Sequence, residues 1–280
     1  MKNLIFNAPA KVIADTITAA YSAEVATKAY KTTLYNVALT DELTARINAV
    51  ASWATSDSAK PGLVLHSQNP GTGKTTMVRA LFRVVQGFNT EAKDFYMQTA
   101  TRDLYAELEQ YYPGMSGNYD IAMEEDPDKA TRKKAQAIIG KITAICEKVE
   151  EDWMNYSCAY KDAAFFSSVE LALTAQNGGR EALLDAENAP AKVPLLFIDD
   201  LGIEPRSVRH YGKNADGDYR NEDILPLVEL ITYRYEHGLP VIITTNFASD
   251  VIGKLYGERI ADRLREMCEF GNFAGESFRK

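Results

Sequence analysis

The chain has 280 residues, 46% of them hydrophobic, which permits a substantial core in one large domain or one domain with a small appendage. A formal net charge of −8 and a pI of about 5.1 argue against a surface devoted as a whole to gripping duplex DNA, and leave room for a local basic groove. No apolar run approaches the roughly 20 residues that span a bilayer, Met1–Phe6 has no secretory h-region, and Cys146, Cys158 and Cys268 are scattered as in a reducing cytoplasm without a disulfide framework. His66, His210 and His237 are equally dispersed, which argues against a zinc site.

Residues 1–36 are rich in alanine, threonine and lysine and predict one or two small helices, a possible partner-binding segment ahead of a core over 37–280. Asp41–Trp53 reads as an amphipathic helix with Leu43, Ile47, Val50 and Trp53 on one face and Thr40 as its cap. A linker, Ser56–Pro61, leads into the short apolar run Gly62–Leu65, which has the composition of a buried parallel strand.

The segment after that strand carries chemistry. Ser67-Gln68-Asn69-Pro70-Gly71-Thr72-Gly73-Lys74-Thr75-Thr76 is a glycine-rich turn opening a helix, with Met77, Val78, Leu81, Phe82 and Val85 at helical spacing. Glycine tolerates positive φ, so Gly71 and Gly73 let the backbone amides turn inward as a nest for phosphate at the helix start. Asn69–Thr76 form the candidate nucleotide-binding loop, with Lys74 reaching the β- and γ-phosphates and Thr75 placing its hydroxyl on Mg²⁺. Gln68 stands where such loops open on a glycine.

Downstream, Asp94–Thr99 reads as a strand, 101–112 as a helix and Pro113–Asn118 as a break. Asp128–Tyr156 carries Ile138, Ile142, Ile145, Val149 and Trp153 at helical spacing, and makes a helical insertion of about 112–162. Phe165–Leu173 predicts a second candidate strand running into a helix that ends at Gly178-Gly179. Val193–Ile198 is a nearly continuous apolar run that ends in Asp199-Asp200-Leu201-Gly202. Asp199 is positioned to hold Mg²⁺ and Asp200 to orient and activate a water; the plainer alternative is a solvated acidic turn.

Arg206, Arg209, His210, Tyr211, Lys213, Tyr219 and Arg220 form a loop with the cations and aromatics of a single-stranded DNA contact, interrupted by Asp216 and Asp218 and equally consistent with a solvated loop. Arg132-Lys133-Lys134 is a weaker basic candidate. Ile224–His237 predicts a helix stopped by Gly238, Val241–Thr245 a strand ending in Asn246, Val251–Met267 a helix and Phe270–Phe278 a final strand. Strands alternating with helices predict an α/β fold with a largely parallel central sheet flanked by helices, a P-loop NTPase. The glycine turn, Asp199-Asp200 and Asn246 all fall at carboxyl ends of strands, where such sheets bind ligands. Asn246 is a candidate for orienting the water or touching the γ-phosphate, or is simply a turn residue. Arg259 and Arg263 stand one helical turn apart, a like-charge pair that calls for an anion. Asp262 and Glu266 could supply it; the sharper alternative is an arginine finger toward a neighbouring subunit's γ-phosphate.

Gly-Thr-Gly-Lys-Thr, Leu-Phe-Ile-Asp-Asp-Leu-Gly, Ile-Thr-Thr-Asn and Tyr-Gly-Glu-Arg-Ile-Ala-Asp-Arg-Leu together resemble the AAA+ ATPases of the DnaC type, loaders of the replicative helicase related to IstB-type transposition helpers. The resemblance spans about Asp41–Arg279 without the middle, and implies a core with no C-terminal helical lid. It implies ATP and Mg²⁺ as cofactors, with Lys74 and Thr75 on phosphate and metal, Asp199 on metal, Asp200 as the hydrolytic carboxylate, Asn246 as sensor, and Arg259 before Arg263 as the finger. It further implies a cytoplasmic replication ATPase that assembles as an ATP-dependent homo-oligomer on single-stranded DNA with a DnaB-type helicase as partner. Asp200 stands where glutamate is common in the family. A transposition helper, a nucleotide-gated interaction module with little turnover, and more remotely a small-molecule kinase are the competing readings.

Overall fold

The computed structural model describes residues 5–29, 40–57, 59–90, 157–213, 219–275 and 277–278, together with isolated helical positions between 133 and 147. Two units form: Met1–Gln86 with Cys158–Lys280, and Gly87–Ser157. In the second, the described residues between 133 and 147 are helical and exposed, apart from half-buried Ile139. The expected strand Asp94–Thr99, helix 101–112, break Pro113–Asn118 and most of the helix over Asp128–Tyr156 lie outside the described residues.

In the first unit a two-residue strand, β1 (Phe6–Asn7), leads into helix α1 (Ala10–Ala29). Helix α2 (Asp41–Ala54) starts where Thr40 accepts the Leu43 amide at 3.2 Å, and α1 packs on it. Strand β2 (Gly62–His66) and the glycine turn feed helix α3 (Lys74–Thr90). A short β3 (Ser157–Cys158) precedes β4 (Ala163–Ser167) and helix α4 (Ser168–Arg180), which is prolonged by a π-helical turn, Glu181–Asp185. Then come β5 (Leu195–Leu201), an antiparallel hairpin of β6 (Val208–Lys213) and β7 (Tyr219–Ile224), and helix α5 (Pro226–Glu236). Strand β8 (Val241–Thr245), helices α6 (Ser249–Tyr256) and α7 (Glu258–Met267), and β9 (Cys268–Asn272) complete it.

Five strands build one parallel sheet in the order β4-β5-β8-β2-β9, with Leu63 opposite Ile242 on one side and Glu269 on the other. Strands buried on both faces need no polar alternation, which is why β2, β5 and β8 read as unbroken apolar runs. On one face Val64, Leu196, Ile198 and Ile243 join a core with Leu171 and Ala175 of α4, Leu230 and Ile231 of α5, and Ile260 and Leu264 of α7. On β5 the ring of Phe197 meets Phe82 of α3 at 5.1 Å between centroids. The expected α/β architecture is therefore present, and among the described residues no helix follows β9.

Several boundaries differ from expectation. The second strand ends at Ser167, because Ser167 and Glu170 form a capping box that starts α4; Leu173 lies on that helix, 48% exposed. The predicted loop over 206–220 is largely the β6–β7 hairpin, so the strand β7 occupies Tyr219–Ile224 and the next helix begins at Pro226, not Ile224. One predicted helix over Val251–Met267 is two, because Gly257 takes φ +94° between them. The final strand runs over Cys268–Asn272 and not Phe270–Phe278, its neighbours setting the length: Asn272 is the partner of His66, the last residue of β2.

Arg234 was the least expected element of the core. Its side chain is fully buried, and its guanidinium donates to Pro190 O, Val193 O and Pro240 O at 2.9, 3.0 and 2.7 Å and to Pro194 O at 3.2 Å. Burial pulls its pKa down to about 9. The fork thereby ties the segment leading into β5 to the one leading into β8, the two strands that deliver the acidic and asparagine ends.

Candidate functional site

The loop between β2 and α3 has the geometry that its glycines allow: Gly71 and Gly73 take φ of +78° and +89°. Lys74, 5% exposed, turns its ammonium across the mouth of the loop and donates to Asn246 Oδ1 at 2.9 Å, with Asn69 O 3.4 Å away and Thr72 Oγ1 3.5 Å away. The loop is braced from below. Ser67 Oγ accepts the Asn69 amide at 3.2 Å, and Arg46 of α2 donates to Thr72 O at 3.1 Å. Arg46 also binds Glu42 and Ala274 O, and its guanidinium lies over the Phe273 ring, so it staples the loop to the segment after β9.

The two acids are separated by the backbone. Asp199 is 4% exposed and its Oδ1 accepts the Thr244 hydroxyl at 2.6 Å. At Asp200 the strand register breaks and φ becomes +56°, and the residue lines the same cavity as the loop. A bulge of this sort re-aims a side chain beside a site, and among non-glycine residues aspartate and asparagine tolerate the left-handed region best. The turn is held on every side. Asp200 N donates to Thr244 Oγ1 at 2.8 Å, Ser168 Oγ donates to Asp200 O at 2.7 Å, and Glu204 accepts the Gly202 amide at 2.8 Å while binding the Tyr256 hydroxyl. Burial and the Glu204 carboxylate push the Tyr256 phenol up, so it remains a donor.

A cavity of about 370 Å³ opens over this arrangement, lined by Pro70–Thr76, Asp200, Ile203 and Asn246 and by Tyr21, Val25 and Phe278. Lys74, Thr75, Asp200 and Asn246 thus face one space, while Asp199 sits buried beside Thr244, outside the lining. Burial first, and the Lys74 charge second, pull the pKa of His66 below its ordinary value. Mg²⁺ takes one or two carboxylates, a hydroxyl, phosphate oxygens and water, not a cage of protein ligands; the side chains that would hold it are Thr75, on the cavity wall, and Asp199, whose carboxylate is held by Thr244 just outside the lining.

Three solved chains resemble the structure at a low level. One is DnaI (16% identity, TM-score 0.37, covering 90% of this chain and 93% of that one). Another is a chain from Streptococcus pyogenes serotype M3 described as a primosome component (15%, 0.41, 92% and 96%), and a third is the DnaC helicase loader (16%, 0.29, 54% and 94%). No family model matches the sequence, and no curated protein does.

The other predicted residues lie away from this cavity or face their own chain. Arg263 is 8% exposed; it donates to Thr232 and to Glu236 at 2.8 Å and lies over the Tyr235 ring. Its anion is thus on α5, and the expected local partners are engaged elsewhere, Glu266 with Tyr235 and Asp262 with Arg265. This placement turns the Arg263 guanidinium into its own chain, whereas Arg259 is exposed. On the hairpin, Tyr211 and Tyr219 are 64% and 61% exposed and stack on each other at 5.3 Å, 13° from parallel. Arg209 pairs with Asp223 at 2.9 Å and His210 Nδ1 lies 2.9 Å from Gln176 O. The side chains of Lys213 and Arg220, and residues Arg132, Lys134, Asp216 and Asp218, lie outside the described residues; Lys133 is exposed.

Sequence reasoning missed Thr244, Glu204, Tyr256, Arg46, Tyr21 and Phe278. Thr244 carried a signal: two threonines, Thr244 and Thr245, end an otherwise aliphatic buried strand, and buried hydroxyls need partners. The others act mainly over long sequence separations that no local spacing encodes, such as Arg46 on Thr72 and Tyr256 on Glu204.

Proposed function

We propose that this chain is an Mg²⁺-dependent ATPase of DNA replication that assembles through ATP on single-stranded DNA and helps place a DnaB-type helicase there. The observation that carries the nucleotide part is the convergence of Lys74, Asn246 and Asp200 on one cavity above a loop with two positive-φ glycines. Amides of Gly71–Thr75 and the Lys74 ammonium bind the phosphates. Asp200 and Asn246 hold the attacking water in line, and Asp200 takes its proton. Mg²⁺, when bound, supplies charge neutralisation on the phosphate oxygens. Phosphoryl transfer of this kind is mainly positioning and electrostatics. The loader role rests on the motif resemblance, above all Tyr256–Leu264, and on the exposed Tyr211–Tyr219 pair, which offers bases a stacking platform.

ATP turnover of the full chain, alone and with a single-stranded oligonucleotide and a DnaB-type helicase, tests this. The proposal expects a slow basal rate raised several-fold by assembly. Turnover indifferent to both would remove the loader role and leave an isolated ATPase. Arg259 is the residue proposed to act in trans. Arg259→Ala should lower turnover by roughly 10³-fold, and mixing it with Asp200→Asn subunits should restore activity. Arg259→Ala turning over like wild type eliminates that assignment.

A further inference from the structure

The turn that carries Asp200 is tied, through one carboxylate, to the elbow that carries Arg259. Glu204 is 7% exposed. A carboxylate buried without donors is costly, and each oxygen of this one has a donor: Oε2 accepts the Gly202 amide at 2.8 Å and Oε1 accepts the Tyr256 hydroxyl. Gly202 takes φ +109°, and a β-carbon there would run into the Phe247 ring, so the turn closes against the residue that follows Asn246. At the other end of the link, Tyr256 is the last residue of α6 and stands three residues before Arg259. Gly257 makes the elbow between α6 and α7 and is hydrogen-bonded on both sides: its amide donates to Gly253 O at 2.9 Å, and its carbonyl accepts the Ile260 amide at 3.0 Å. Ile260, Ala261 and Leu264 sink α7 into the core and leave Arg259 exposed.

Resting on the ATPase reading above and on Arg259 acting in trans, we infer that Glu204 and Tyr256 are positioning residues for both ends of the reaction. Through the Glu204 carboxylate they set Asp200 at the subunit's own nucleotide and Arg259 toward its neighbour's. Neither residue lines the cavity, so neither meets the reacting atoms. The path is short: the Tyr256 hydroxyl bonds to Glu204, Glu204 to the Gly202 amide, and Gly202 is two residues from Asp200. Removing the hydroxyl unties the turn from the elbow. The bonds from Thr244 and Ser168 to the main chain of residue 200 remain, so what is lost is alignment and not the fold. Misplacement by about 1 Å from a change away from the chemistry costs up to about 100-fold in rate.

Two single-defect subunits separate the two ends. Arg259→Ala subunits hydrolyse and lend no finger; Asp200→Asn subunits lend a finger and do not hydrolyse; their mixture is the reference. Tyr256→Phe is added to one kind of full-length subunit at a time, and Mg-ATP turnover of the mixture is measured together with the Mg-ATP affinity of each double variant. Tyr256 is half-buried and phenylalanine keeps its ring, so these variants should fold. The expected result is turnover lower by about tenfold in either arrangement, with affinity changed by less than about twofold. An unchanged rate in either arrangement overturns the inference, because the pair then serves one end or neither. Affinity that falls in step with turnover also overturns it, and makes the pair a brace for the site's fold. Glu204→Gln still accepts from the Gly202 amide and donates to the Tyr256 oxygen, so it should keep more than about half of the reference rate; a loss as large as that of Tyr256→Phe overturns the bridge. An inactive reference mixture, with wild type turning over ATP, removes Arg259 from its role in trans and this inference with it.

Discussion

Asp200→Asn should slow ATP turnover by about 100-fold or more, the usual contribution of a positioned proton acceptor, while changing ATP affinity by less than about threefold. The substitution is close to isosteric, and asparagine accepts the left-handed backbone that Asp200 adopts at φ +56°. The bonds that hold the turn come from Thr244 and Ser168 to the main chain of residue 200, so they survive the change. What the proposed mechanism would lose is the acceptor for the proton of the attacking water. Asp200→Glu is the informative companion. Glutamate is common at this point in the resembled family, yet it has no local means of easing a positive φ. It should cost about 1 kcal/mol of stability, read from the denaturant midpoint, and bring no gain in rate. Wild-type turnover in Asp200→Asn would remove Asp200 from the chemistry.

Arg234→Met should lower stability by about 3–5 kcal/mol, with a fall in Tm of roughly 10 °C. The guanidinium is the donor for carbonyls of Pro190, Val193, Pro194 and Pro240, in a buried setting where unpaired carbonyls are costly. Methionine fills much of the volume and satisfies none of them. Arg234→Lys should recover little, because three donors on a point charge cannot reproduce the planar fork. Nucleotide binding by the folded fraction should persist, since Arg234 lies at the opposite ends of β5 and β8 from the site. A thermal melt within about 1 °C of wild type for Arg234→Met would show that the fork contributes little.

The site was written locally, and for that reason it could be read. Strand, glycine turn and Lys74-Thr75 succeed one another within fifteen residues, and the strand ends at Asp200 and Asn246 announce themselves by an abrupt change from aliphatic to polar. The sheet emerged from the same runs. Other features depended on partners far along the chain. Arg234 occupies a position on α5 that composition alone assigns to solvent, and its acceptors are the backbone of a proline-containing segment some 40 residues earlier together with Pro240 O, six residues on. Arg263 looked like a charge in want of a nearby anion, but finds Glu236 on another helix. The hairpin escaped notice because its strands, Val208–Lys213 and Tyr219–Ile224, are too polar for a half-buried alternation to stand out. The aromatic side of the cavity is drawn from α1 and from beyond β9, two segments that no motif joins to the loop.

The central claim is that Gly71–Thr75 and Lys74 grip a triphosphate chelated to Mg²⁺. Calorimetric titration of Mg-ATP into wild type and into Lys74→Ala tests it most directly. The account predicts binding in wild type that depends on Mg²⁺ and weakens by about 100-fold in Lys74→Ala, the loss of a buried, hydrogen-bonded charge contact. Equal affinities in the two proteins, or no binding to wild type, would contradict it.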